Sequence, residues 1–169
     1  LVVKDGRVVG VQSGPDVVYA DVVIDAEGVN RLLLEGAERA ETPSLDALAV
    51  GLKQTIKLDQ ERVNERFGVG DGEGVAWILA GDVTGYLPGG AFIYTNRDSV
   101  SVGLVLFLSY AMKRVERQIF QLMEALRLHP ELKHLWMDGE LVEYSAKLTP
   151  EYWRGLRPKH LSGSGLMVV

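Results

Sequence analysis

Two short stretches of this chain carry residue types whose spacing suits ligand chemistry. In one, Gly85, Pro88, Gly89 and Gly90 lead into Ala91-Phe92-Ile93-Tyr94. The glycines let the backbone turn and leave no side chain above it, as a bend pressed against a flat ligand or another backbone requires. Phe92 and Tyr94 are two residues apart and so share one face of a strand. From spacing alone they are either pocket walls or ordinary core residues. In the other stretch, Asp25-Ala26-Glu27-Gly28-Val29-Asn30-Arg31 lies between an apolar run at 21–25 and a helical-looking start at 32–36. Strand, glycine turn and helix start is the geometry that aims backbone N–H groups at an anion. A generic strand–turn–helix has the same order.

Other chemistries find little support. The chain has no Cys, so it offers no disulfide, thiolate metal site or iron–sulfur ligand. His129, His134 and His160 are dispersed, and the one short step, from His129 to His134, is interrupted by Pro130, so no metal is expected. No Ser-His-Asp, Cys-His or paired-carboxylate spacing stands out, and no catalytic residue is singled out. The net charge is −5 with basic residues scattered among acids, which argues against nucleic acid as a partner. No apolar run approaches the roughly 20 residues that span a bilayer, and no signal peptide is present, so the expected location is cytoplasmic, peripheral to a membrane at most. The alternating glycines of 68–74 lack the Lys-Ser/Thr of a phosphate loop and read as a flexible surface connection; G-x-G-x-x-G occurs nowhere.

The elements that must position these stretches follow from pattern. With 169 residues, 47% hydrophobic and 24% charged, the chain can bury a real core. It starts at Leu1 without Met and stops at Val169, both inside strand-like runs, and reads as a fragment of a longer polypeptide. Residues 1–11 form a hairpin around Lys4-Asp5-Gly6-Arg7. The run at 21–25, apolar on both faces, predicts a buried central strand. Residues 38–47 read as a linker broken at Thr42-Pro43-Ser44. In 48–58, Val50, Leu52, Ile56 and Leu58 alternate with Lys53, Thr55 and Lys57, a half-exposed strand. Asp59 is placed to cap a helix running to Phe67.

Strands at 75–79, 90–94, 99–108 and 140–148 complete about five in one antiparallel sheet, with a turn at Thr95-Asn96-Arg97-Asp98. Met112, Val115, Ile119, Leu122 and Leu126 predict one amphipathic helix over 110–128. Its polar face, Lys113, Arg114, Glu116 and Arg117, is either solvated or in contact with an anionic membrane. Pro130 starts a short helix over 131–137 with Leu132, Leu135 and Trp136 inward, and Asp138-Gly139 turns into the last sheet strand. Residues 149–164 are irregular and basic, and 165–169 read as a buried strand returning to the first segment. The fold class is α+β, an antiparallel sheet packed by helices.

The ordered run of Gly89-Gly90-x-Phe92-x-Tyr94, a hairpin ending in Val102-Gly103-Leu104-Val105, a helix, His129-Pro130 and Gly139-Glu-Leu-Val-Glu-Tyr-Ser-Ala146 resembles the FixC-type dehydrogenase flavoproteins. Their relatives are the electron-transfer-flavoprotein:ubiquinone oxidoreductases and the geranylgeranyl reductases. The resemblance covers the whole chain. Residues 25–31 are similar to that family's D-A-D-G-V-N-S motif beside the riboflavin and pyrophosphate part of FAD. Asp25, Gly28, Val29 and Asn30 match, while Glu27 replaces Asp and Arg31 replaces Ser.

The resemblance implies FAD as cofactor, held in part by Asp25, Glu27, Gly28, Asn30 and Arg31, with Arg31 either pairing a phosphate or pointing to solvent. It implies that Gly89, Gly90, Phe92 and Tyr94 line a pocket for quinone or another apolar substrate. The aromatic faces would stack there and the Tyr94 hydroxyl would bond a carbonyl. Electrons would pass from an electron-transfer flavoprotein toward quinone or a ferredoxin-like acceptor. Residues 1–41 would be part of an FAD-binding domain, 42–148 the substrate domain, and 149–169 a return into the first. The fragment by itself is expected neither to retain FAD nor to be active. Two alternatives stand beside this reading. One is a prenyl reductase, although that branch favours Trp-x-Phe-Pro where this chain has Ile93-Tyr94-Thr95-Asn96. The other is a non-catalytic interaction domain.

Overall fold

Asp5 and Gly6 both adopt positive φ, 48° and 76°, the primed turn that matches strand twist in a two-residue hairpin. It joins β1 (Val2–Lys4) to β2 (Arg7–Ser13), with Lys4 opposite Arg7. A computed structural model describes residues 1–36, 43–113, 118–150 and 162–169. The chain divides into two compact units, Leu1–Ala47 with Thr149–Val169, and Leu48–Leu148.

In the first unit, β3 (Asp16–Tyr19) adds to β2 as a third antiparallel strand. It was not anticipated from sequence, because Val17 and Val18 are adjacent and both exposed, so no alternation marks it. β4 (Val23–Asp25) pairs in parallel with β11 (Leu166–Val168), Val23 opposite Leu166 and Asp25 opposite Val168, and β10 (Ser162–Gly163) flanks β11. Val8, Val23, Leu34 and Leu166 form the small core. Gly165, at φ 83°, lets the chain pass against β2, since a Cβ there would collide with the Val8 carbonyl. The Val8 N–H donates to Ser164 O at 2.7 Å and the Val23 N–H to Gly165 O at 2.9 Å.

The expected buried central strand at 21–25 is corrected. β4 lies at the end of its sheet, and only Val23 and Asp25 turn inward, leaving Ile24 64% exposed. Successive side chains of a strand point to opposite faces, and only one face of this sheet meets the unit's small core. Met167 of β11, paired with Ile24, points to the same uncovered face and is exposed too, against the expectation of a buried strand at 165–169.

In the second unit, β6 (Ala76–Leu79), β7 (Gly89–Thr95), β8 (Ser99–Phe107), β5 (Leu48–Lys57) and β9 (Glu140–Pro150) lie in that order in one sheet. β6–β7, β7–β8 and β8–β5 are antiparallel. The Asn96 N–H donates to Ser99 O at 2.8 Å and closes the β7–β8 turn. One face carries Leu52, Ile56, Ile93, Val102, Leu104 and Leu106 against Val63 and Phe67 of α2 (Gln60–Phe67) and Leu122, Met123 and Leu126 of α4 (Ile119–Arg127). At about 1.5–3 kcal/mol per fully buried large apolar side chain, this layer dominates the unit's stability.

The single helix expected over 110–128 is two pieces. α1 (Leu32–Gly36) opens the first unit's helical turn; here α3 (Leu108–Ala111) follows β8 and α4 starts anew at Ile119. Gln118 is extended, φ −67° and ψ 150°, which no continuous helix permits, and its N–H is held by Gln121 Oε1 at 2.9 Å. Met112 is consequently exposed, not part of a buried stripe. Val115, with Arg114, Glu116 and Arg117, lies outside the described residues, as do 38–42 of the expected linker and most of the basic segment, His160 included.

The helix expected over 131–137 is only a 3-10 turn at Lys133–Leu135, yet Leu135 and Trp136 are buried and the Trp136 indole N–H donates to Arg127 O at 2.9 Å, satisfying the end of α4. Asp59 occupies the N-cap of α2 without a side-chain capping bond. Gly68, at φ 64°, ends that helix. The glycine run beyond it is tied down: Asp71 Oδ1 accepts from Asn64 Nδ2 at 2.8 Å, and Glu73 Oε2 from the Gly70 N–H at 2.9 Å.

Candidate functional site

In the first unit the chain leaves β4 at Asp25 and turns within six residues into α1, which gathers Asp25, Glu27, Gly28, Asn30 and Arg31 in one bend. Asp25 is 2% exposed; its Oδ1 accepts the Glu27 N–H at 3.0 Å, while its Oδ2 is buried without a hydrogen-bond partner. Glu27 Oε2 accepts the Leu33 N–H at 2.8 Å, so the extra methylene relative to Asp serves the first turn of α1. The Asn30 N–H closes the bend on Glu27 O at 3.3 Å. Gly28 has φ 62° and nothing within 4 Å of where a Cβ would stand. Arg31 is 3% exposed at φ 50°, which rules out the solvent-pointing orientation.

Of the second cluster, Gly90, Phe92 and Tyr94 occupy rows of the sheet face opposite α2 and α4, while Gly89 pairs with Leu106 of the covered face. Gly89, at φ 148°, passes so close to Val105 O that a Cβ would overlap it, and a Cβ on Gly90 would stand 2.8 Å from Leu79 O. The bend is therefore pressed against backbone on both sides, the closeness its glycines permit. Phe92 and Tyr94 stack on the open face with centroids 5.8 Å apart and planes 16° from parallel. Both are half-buried and outside the hydrophobic core. Phe92 rests over Gly103, where any side chain would strike its ring.

The same face carries polar groups that the strand pattern had marked only as outward-facing. Lys53 Nζ is 3.0 Å from Glu143 Oε2, and the Thr55 hydroxyl donates to the same oxygen at 2.8 Å. The hydrogen bond to Glu143 raises the Lys53 pKa above its ordinary value, and the hydrogen bonds from Lys53 and Thr55 lower that of Glu143. Alternation within β5 placed Lys53 and Thr55 together, but nothing in the sequence paired them with a residue nearly ninety positions on. A polar cleft of about 360 Å³ between α2, the glycine run and the β7–β8 turn, lined by Gln60, Asn64, Glu73 and Arg97 among others, was likewise not anticipated. Among the described residues no His/Cys/Asp/Glu group could hold a metal ion, and no helix is long and apolar enough to cross a membrane.

The second unit is thus an antiparallel sheet covered by helices on one side, with a glycine-backed aromatic shelf on the other. Residues 48–149 match the family described as ETF-QO, ubiquinone-binding, and the chain belongs to it. Over its full length the chain is 40% identical to the probable electron transfer flavoprotein-quinone oxidoreductase YdiS of Escherichia coli K12, and 38% identical to the protein FixC of Salmonella typhi. It spans 39% of the length of each of these relatives. Among solved structures, a geranylgeranyl bacteriochlorophyll reductase-like protein from Thermoplasma acidophilum superposes with a TM-score of 0.65 at 17% identity, over 99% of this chain and 39% of that one. The flavin-dependent brominase Bmp2 gives 0.62 at 19% identity, over 99% and 41%. These two likenesses concern the fold alone.

Proposed function

We propose that this chain is the quinone-side part of an FAD-dependent oxidoreductase of the FixC type, which takes electrons from an electron-transfer flavoprotein and delivers them to a quinone. The observation that carries the reading is the stacked, half-buried Phe92–Tyr94 pair over Gly103, inside the segment that matches a ubiquinone-binding family. A flat ring can lie on such a shelf, and the Tyr94 hydroxyl, at its edge, is placed to donate to a carbonyl oxygen. Gly90, in the same face as the pair, keeps a side chain out of the approach.

The bend at 25–31 fits a share in holding FAD in the parent protein. Asp25 Oδ2 is a buried acceptor that lacks a donor, which a cofactor hydroxyl would supply, and the space above Gly28 is open to a close approach. When bound, FAD supplies the electron-carrying ring; the residues of this chain bind, orient and exclude water. The division into a partial FAD-binding domain (1–41 and 149–169) and a substrate domain (42–148) belongs to the same proposal. So does a cytoplasmic location at a membrane surface, where a quinone would be met.

The test is a visible absorbance spectrum of the parent protein, mass analysis of the released cofactor, and an assay of electron transfer from reduced electron-transfer flavoprotein to decylubiquinone. Bound FAD and quinone-dependent turnover support the proposal. A colourless protein that cannot be reconstituted with FAD overturns it in favour of an interaction domain.

A further inference from the structure

Two consecutive cross-strand rows order the open face of the sheet. Phe92 of β7 and Lys53 of β5 both stand opposite Gly103 of β8, one from each side; Tyr94 and Thr55 both stand opposite Ser101. Strands two apart are roughly 10 Å apart, and side chains in one row project to the same side. Because Gly103 has no side chain, nothing of β8 stands between the Phe92 ring and the Lys53 stem. On the far side of Lys53 lies Glu143 of β9, 3.0 Å from its ammonium.

An ammonium group has three N–H donors, and the carboxylate takes one. The Thr55 hydroxyl holds the same carboxylate oxygen at 2.8 Å, so the anion is fixed from two directions and holds the lysine in turn. As a half-exposed pair on a surface, Lys53 and Glu143 add little stability. Their position beside an aromatic shelf is what gives the arrangement a use. The raised Lys53 pKa, set first by the Glu143 hydrogen bond, keeps the group a cation and therefore only a donor.

We propose that Lys53 is the polar anchor of this shelf, donating from its ammonium to a ring oxygen of the planar ligand on Phe92 and Tyr94, with Glu143 as the positioning residue that aims it. This rests on the quinone reading above and narrows it. The ligand is a ring bearing a carbonyl or phenolate-type oxygen, not a bare hydrocarbon chain. Apolar stacking tolerates any flat ring; the cation selects those with an acceptor at the β5 side.

The test is equilibrium binding to the full-length, FAD-loaded parent protein with two probes: decylubiquinone, and decylbenzene, which has the same chain and no ring oxygen. Lys53→Met is expected to weaken decylubiquinone about ten-fold, the loss of one charge-assisted hydrogen bond, and to leave decylbenzene unchanged. Lys53→Arg restores most of the affinity. Glu143→Gln weakens decylubiquinone a few-fold and raises KM for it with kcat unaltered. Equal decylubiquinone affinity in wild type and Lys53→Met overturns the inference, as does a parallel loss of both probes, which would mark Lys53 as structural. Absence of decylubiquinone binding by the wild type overturns the quinone reading itself.

Discussion

Phe92 fills the space that Gly103 leaves open: a Cβ added at Gly103 would run into the Phe92 ring on one side and the Leu52 carbonyl on the other. Gly103→Ala should therefore destabilise the second unit by about 1–3 kcal/mol, the usual cost of overpacking. Chemical denaturation of the parent protein checks this. Adding Phe92→Leu should recover only part of the loss, because the Leu52 carbonyl is backbone and cannot swing aside. Full recovery would mean that the ring alone opposes a side chain there.

The Lys53–Glu143 pair predicts a stability profile with two limits. Lys53 has a folded pKa above its ordinary 10.5, so its contribution is complete below that value and fades as pH rises through the raised one. Glu143 has a folded pKa below its ordinary 4.5, so its contribution is complete above that value and fades as pH falls through the lowered one. Unfolding midpoints measured across pH should show wild type ahead of Glu143→Gln on the plateau between these limits. The gap should close toward both extremes and shrink in high salt, since the pair is half-exposed. A gap independent of pH would assign the effect to packing.

Gly28 separates strain from cofactor contact. At φ 62° an added Cβ costs about 1–2 kcal/mol of backbone strain, and no protein atom stands in its way. Gly28→Ala should lower stability by that modest amount yet sharply reduce the FAD retained by the parent protein after gel filtration, if the cofactor approaches this Cα. Asp25→Asn should also reduce retention, since it replaces one of the two carboxyl oxygens, of which Oδ2 is unpartnered, with an amide donor. Undiminished FAD in both variants would remove the bend from the cofactor site.

Among the described residues no strand pairs with the outer side of β4, and its Ile24 is exposed. The chain produced by itself should self-associate through this edge. Sedimentation should show Ile24→Lys shifting it toward monomer, because a charge at an edge opposes strand pairing. A wild-type chain that stays monomeric at high concentration would contradict this.

The sequence by itself determined the local structure: the Asp5-Gly6 hairpin, the alternation that makes β5 a half-exposed strand, the turn at Asn96, and the one-face placement of Phe92 and Tyr94. Each follows from turn chemistry or from the period of two, which depend on neighbours in the chain. The tertiary structure decided what depends on distant partners. Ile24 is exposed because it points to the sheet face that the unit's small core does not cover, although the composition of β4 suits a buried central strand. The helix restarts at Gln118 although glutamine is a good helix former, because there it is extended as an N-cap and its N–H is held by Gln121. Arg31 is buried despite its charge. Lys53 meets Glu143 only because β9 returns to the free edge of β5, a pairing that no local pattern encodes, since strand order is fixed by how the whole sheet buries its apolar face.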